Sequence, residues 1–226
     1  MRIYIITMAE NIKVRKFGLV GIASPIIGLL AVFVSIYFSP WFEWPIHALS
    51  DLGVAQEGRL ISQFAQEGDT QIATWTFNGG MIVAGLLIAI FVYSTRKTIT
   101  DNLMSKIAYS LIFIGGINLA LVGVFPYSVS DTIHLMVALI YFIFTPIGLI
   151  MIGIERRSKD RNFAIFSIGS GIVSLVVIGG AVLGILGTPI GSIYPEGVAI
   201  PEFIEAVILG LWIGIAGIRV FRTGKF

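Results

Sequence analysis

Residues 17–38 read FGLVGIASPIIGLLAVFVSIYF, twenty-two positions with no charged side chain. As a helix this run would be about 33 Å long, enough to cross a hydrocarbon core of roughly 30 Å. Pro25 predicts a kink and not a break, because neighbouring helices can satisfy the carbonyl it frees. Lys13, Arg15 and Lys16 precede the run, as they would a signal peptide. The run is too long for a signal h-region, however, and no small-x-small cleavage site follows it. It reads as a membrane span.

Five more apolar blocks follow, over residues 75–94, 106–125, 131–154, 163–186 and 202–221. The expected fold class is therefore all-α: an integral membrane bundle of six transmembrane helices, with residues 1–226 as one domain. Composition agrees. The chain is 56% hydrophobic and 12% charged, where a soluble domain of this length carries about 25% charged residues. Its mean hydropathy is +0.93. The net charge of +2 gives no nucleic-acid signature, since the basic residues flank spans and form no patch. Cys is absent, which removes disulfides, thiolate metal sites and Cys nucleophiles.

The loops set the orientation. The N-terminal arm, the Arg96 turn, the ERRSKDR hairpin (155–161) and the C-terminal tail hold fourteen of the fifteen Lys and Arg residues, and Arg59 alone falls on the other side. By the positive-inside rule both termini are cytoplasmic. Nine of the thirteen acids, among them Glu43, Asp51, Asp131, Glu202 and Glu205, fall at the opposite, outer side. The protein is expected as a multi-pass resident of the cell membrane.

The first outer loop opens with SPWFEWPIHALSDLG (39–53). Pro45 suits a first helical position and Gly53 a position just past a helix end. A short surface helix is predicted over Pro45 to Leu52, anchored by Trp41, Phe42 and Trp44. His47, Ser50 and Asp51 would share one of its faces. A second surface helix is predicted around Arg59 to Gln66. Small residues on the fifth span (Gly180, Gly184) and the sixth (Ala206, Gly210, Gly214) predict the closest helix contacts there.

Topology gathers the scarce polar groups at the outer rim: His47, Ser50, Asp51, Asn78, Asp131, His134, Glu202 and Glu205, with Asn118 somewhat deeper. Ionisable groups inside a span are costly and usually face a cavity or a partner. His134 and Glu205 are the two most expected to do so. The cluster admits several chemistries. His47, His134 and a carboxylate form a weak two-His-one-acid metal set, without local H-x-x-x-H spacing. Ser50 as nucleophile, His134 or His47 as base and Asp51 or Asp131 as orienting acid would make a hydrolase, without a G-x-S-x-G elbow. In a structural account His47 pairs with Asp51, Asp131 caps a helix and Asn118 bonds between helices.

The order of several motifs resembles a known family. S-P-x-F and H-A-L-S-D-L-G (39–53), F-N-G-G (77–80), G-V-F-P (123–126) with His134 eight positions on, and Pro201-Glu202 with Trp212 together look like domain of unknown function 998. Its members are membrane proteins of archaea and bacteria, generally with six spans. The resemblance covers nearly the whole chain and implies a helical bundle in the cell membrane. It brings no activity, and the Val54 to Thr74 insert is longer than expected for the family.

The functional expectation is binding or transport of a small molecule or lipid through an outward-facing polar cavity, with Asn78, Asn118, Asp131, Glu202 and Glu205 as binding candidates. The alternatives are a membrane-embedded hydrolase or metal-dependent enzyme acting on lipid, and a structural protein with no ligand. No cofactor is expected. Membrane lipid is the expected partner, and nucleic acid is not.

Overall fold

The structure, a computed structural model, describes residues 2–54, 67–98, 102–188 and 197–225. The surface helix expected around Arg59 to Gln66 lies outside the described residues. Six long helices carry the fold: α1 (Arg2–Tyr37), α2 (Glu67–Thr95), α3 (Leu103–Val124), α4 (Asp131–Arg156), α5 (Arg161–Ile185) and α6 (Ala199–Thr223). Each holds 22 to 26 residues long and apolar enough to cross a membrane. Helix is the expected solution there, because lipid offers no partner to an unpaired backbone amide or carbonyl.

Helix ends are set by short polar side chains. The Asn102 side chain accepts the Ser105 amide at 2.8 Å, Ser130 accepts Ile133 at 3.3 Å, and Asp160 accepts Phe163 at 3.0 Å. Asp131 was the expected cap of α4. The cap is Ser130, one residue earlier, and Asp131 stands in the first turn, where a negative charge opposes the helix dipole favourably.

Consecutive helices pack side by side from α1 to α5, and α6 closes the ring against α1. Lipid tails are as apolar as Leu, so association relies on close backbone approach and interhelical hydrogen bonds. A Cβ at Gly18 would collide with the backbone of Gly217 and Phe221, and one at Gly85 with that of Gly116 and Ala120. Ser24 and Ser35 on α1 donate to the carbonyls of Ala84 and Ala73 on α2, each at 2.9 Å. Outward faces are apolar in turn, with Leu30, Phe33, Ile90, Met136, Val176 and Leu211 all exposed.

The small-residue face of α6 does mark a close helix contact, and α1 is the helix that uses it. The α5–α6 seam is the thinnest around the ring. A Cβ at Gly210 would come within 3.0 Å of the Pro25 Cβ on α1. Small residues permit close approach without choosing the partner.

The two ends of the bundle differ. Toward the ends of α2, α4 and α6 the interior is filled by Phe91, Ile112, Leu149, Phe163, Trp212 and Val220. This end also carries the Arg219–Asp160 and Lys159–Glu155 pairs, both at 2.6 Å, and is called the cation rim below. The other end is covered by residues 38–54, which cross from α1 to α2 and are called the strap.

Candidate functional site

The strap is held by bonds that reach across the sequence. The Gly197 and Ala199 amides at the start of α6 donate to the carbonyls of Pro45 and His47 at 2.7 and 2.8 Å. The Leu49 amide donates to Glu202 Oε2 at 2.6 Å, and the Ser50 amide also reaches that carboxylate. On the α2 side, Asn78 Nδ2 donates to the Gly53 carbonyl at 2.8 Å.

These bonds correct the predicted Pro45 to Leu52 helix. Only Leu49–Gly53 is helical, as a short 3-10 turn. The Pro45 and His47 carbonyls are taken by α6 and the Leu49 amide by Glu202, so the local helical partners are displaced. His47, Ser50 and Asp51 consequently share no helical face. His47 does not pair with Asp51: the Glu43 amide donates to His47 Nδ1 at 2.9 Å, and the ring lies between Trp41 and Phe42. Asp51 Oδ2 accepts the Ala48 amide at 2.9 Å.

Beneath the strap lies a cavity of about 100 Å³. Its walls come from α1, α2, α3, α4, α6 and the strap. They are mostly apolar, with Val32, Phe77, Met81, Val122, Leu209 and Ile213 among them. At the strap end Ser50, His134 and Glu202 also face it. His134 is 2% exposed. Its Nδ1 donates to the Phe125 carbonyl at 2.8 Å, and its ring packs on Tyr127 with centroids 4.1 Å apart. In the neutral ring this leaves Nε2 as an acceptor. Asp51 lies within electrostatic reach of both His134 and Glu202.

The sequence candidates therefore separate. Ser50, His134 and Glu202 converge on the cavity, with Asp51 behind them. His47 is part of the strap's own aromatic packing. Asn78 anchors the strap, and Asn118 donates to the Ile114 carbonyl of its own helix at 2.9 Å, not to another helix. Glu205 is fully buried one turn below Glu202, facing Ser174. Among the described residues no three His, Asp or Glu side chains group as metal ligands. Nδ1 of each histidine is taken by backbone, the Glu43 amide at His47 and the Phe125 carbonyl at His134. Tyr141 was not among the candidates, yet it lines the cavity and lies near Glu205. Its spacing of seven from His134, two turns along one helix face, is the signal that places it there.

Fold and site together define a multi-pass helical membrane protein with an apolar cavity, polar at one end, beneath an extramembrane strap. The chain belongs to the family described as Protein of unknown function (DUF998), whose model matches residues 22–219. No curated protein and no solved structure matches it.

Proposed function

We propose that the protein binds a small amphipathic molecule or lipid, with the apolar part in the cavity and the polar part against Ser50, His134 and Glu202. The strap end faces the outside of the cell membrane, following the excess of Lys and Arg at the other rim. The observation that carries this reading is the cavity itself: mostly apolar walls with a few convergent polar groups, the pattern of a small-molecule site. Its volume of about 100 Å³ is somewhat smaller than the ~150 Å³ apolar cavity that accepts benzene. It suits a short apolar segment or one ring, not a whole acyl chain. Binding is favoured over passage because Phe91, Trp212 and their neighbours fill the bundle toward the cation rim.

A short-chain amphiphile bearing a diazirine at its apolar end, added to the protein in nanodiscs, tests the reading. Photolabelling is expected at Met81, Val122 and Leu209, lost in Ala206→Phe and weakened in His134→Ala. Labelling confined to outward residues such as Leu30, Ile90 and Met136 would sink it. Cleavage of the probe would favour the enzymatic alternative, in which Ser50 and His134 act on substrate.

A further inference from the structure

The seam between α5 and α6 is built as a ladder. Asp160, Ser167 and Ser174 stand seven residues apart, the first as the cap of α5 and the others along it. Glu205, Trp212 and Arg219 stand seven apart along α6. The helices run antiparallel, so these residues meet as rungs, about 10 Å apart at helical rise. The first rung is an ion pair, Arg219 Nη2 to Asp160 Oδ2 at 2.6 Å. In the second, Trp212 Nε1 donates to Ser167 Oγ at 2.8 Å. The third is Glu205 facing Ser174. Both residues are 0% exposed, and among the described residues neither Glu205 oxygen nor the Ser174 hydroxyl has a partner at hydrogen-bond geometry, although the two side chains face each other.

We infer that this third rung is a binding site for one small alkali cation, held by the two Glu205 carboxylate oxygens and the Ser174 hydroxyl. An unpaired carboxylate inside a span is expensive and calls for a partner. Among the described residues the facing groups supply no positive charge: Ser174 from α5 is uncharged, Tyr141 from α4 carries no positive charge, and Glu202 one turn away on α6 is itself acidic. The donors are all oxygen, which selects a hard cation. They carry one negative charge, so a monovalent ion leaves the site neutral, whereas a divalent ion leaves a buried excess charge. Sodium is the ion of that class that the site is expected to take. Bound there, it bridges α5 and α6 in the half of the seam beyond the Arg219–Asp160 and Trp212–Ser167 bonds.

The experiment is thermal unfolding of the detergent-solubilised protein in equimolar sodium, potassium or choline chloride at one pH. Sodium is expected to raise the wild-type Tm by roughly 3–6 °C over choline, the shift that sodium at about ten times its Kd produces in a chain of this size. Glu205→Gln loses the sodium response and Ser174→Ala weakens it. Ser167→Ala, which alters the second rung, lowers the Tm but keeps the response. Equal wild-type Tm in sodium and choline overturns the site, and so does a wild-type response in Glu205→Gln. Should Glu205→Gln fail to fold, an undiminished response in Ser174→Ala overturns it. A Tm that follows pH and ignores sodium also overturns it, leaving a protonated carboxyl donating to Ser174.

Discussion

The Glu202 carboxylate on α6 accepts the Leu49 amide of the strap at 2.6 Å, joining residues 153 positions apart. That bond lies at the cavity's polar end, where the Leu49–Gly53 turn begins. Glu202 stands in the first turn of α6 and accepts two strap amides.

Removing that acceptor leaves buried amides unsatisfied. Glu202→Ala is expected to destabilise the protein by about 1–3 kcal/mol, the cost of an orphaned buried donor. Glu202→Gln keeps an acceptor oxygen and should lose less. Unfolding midpoints in one detergent give the order wild type, Gln, Ala, and equal midpoints for wild type and Ala would refute the strap's dependence on Glu202.

Two glycines make a paired test of helix packing. A Cβ at Gly18 meets the Gly217 and Phe221 backbones, which cannot yield locally. Gly18→Ala should therefore cost about 1–3 kcal/mol through separation of α1 and α6. At Gly169 nothing lies within 4 Å of the added atom. Gly169→Ala should be neutral or stabilising by up to ~1 kcal/mol, the gain in helix propensity. Circular dichroism melts of the two variants should move in opposite directions or differ clearly in loss.

The Asp160 carboxylate accepts the Phe163 amide at 3.0 Å and pairs with Arg219. The Phe163 amide, with Arg219 adding to it, holds the Asp160 carboxyl below the ordinary value of 3.8. The folded pKa is thus lower than the unfolded one. Its stabilisation is complete above the unfolded value and disappears as pH falls through the folded value. Melts taken from neutral pH down to about pH 3 should lose stability at the acid end. Asp160→Asn should start lower at neutral pH and show a shallower acid decline, and an identical decline in both proteins would exclude Asp160 as its source.

Orientation is directly readable because the chain has no Cys. Single cysteines at Asp131 and Lys159 should label from opposite sides of the membrane, Asp131→Cys from outside and Lys159→Cys only after permeabilisation. Labelling of both from one side would break the alternation of the spans.

Much of the architecture was legible because its cause is local. A charge-free block of about 20 residues has one outcome in lipid, and the third span, read at 106–125, forms Leu103–Val124. The grouping of loop cations at one end of the bundle follows from the same alternation of spans. The cavity was partly legible: alternation of the helices places Ser50, His134 and Glu202 at one rim without saying which way each side chain turns.

What the sequence by itself determined is the number of spans, their approximate ends and the rim on which the scarce polar groups gather, because hydropathy and charge act through neighbouring residues. Tertiary structure decided which partners those groups take. His47 was lost to the strap's aromatic packing and the predicted Pro45 helix to carbonyls claimed by α6, while Pro25 and its neighbours on α1 became the partner of the α6 glycine face. Each outcome depends on a group far along the chain competing with a near one, and distance in sequence carries no record of that competition.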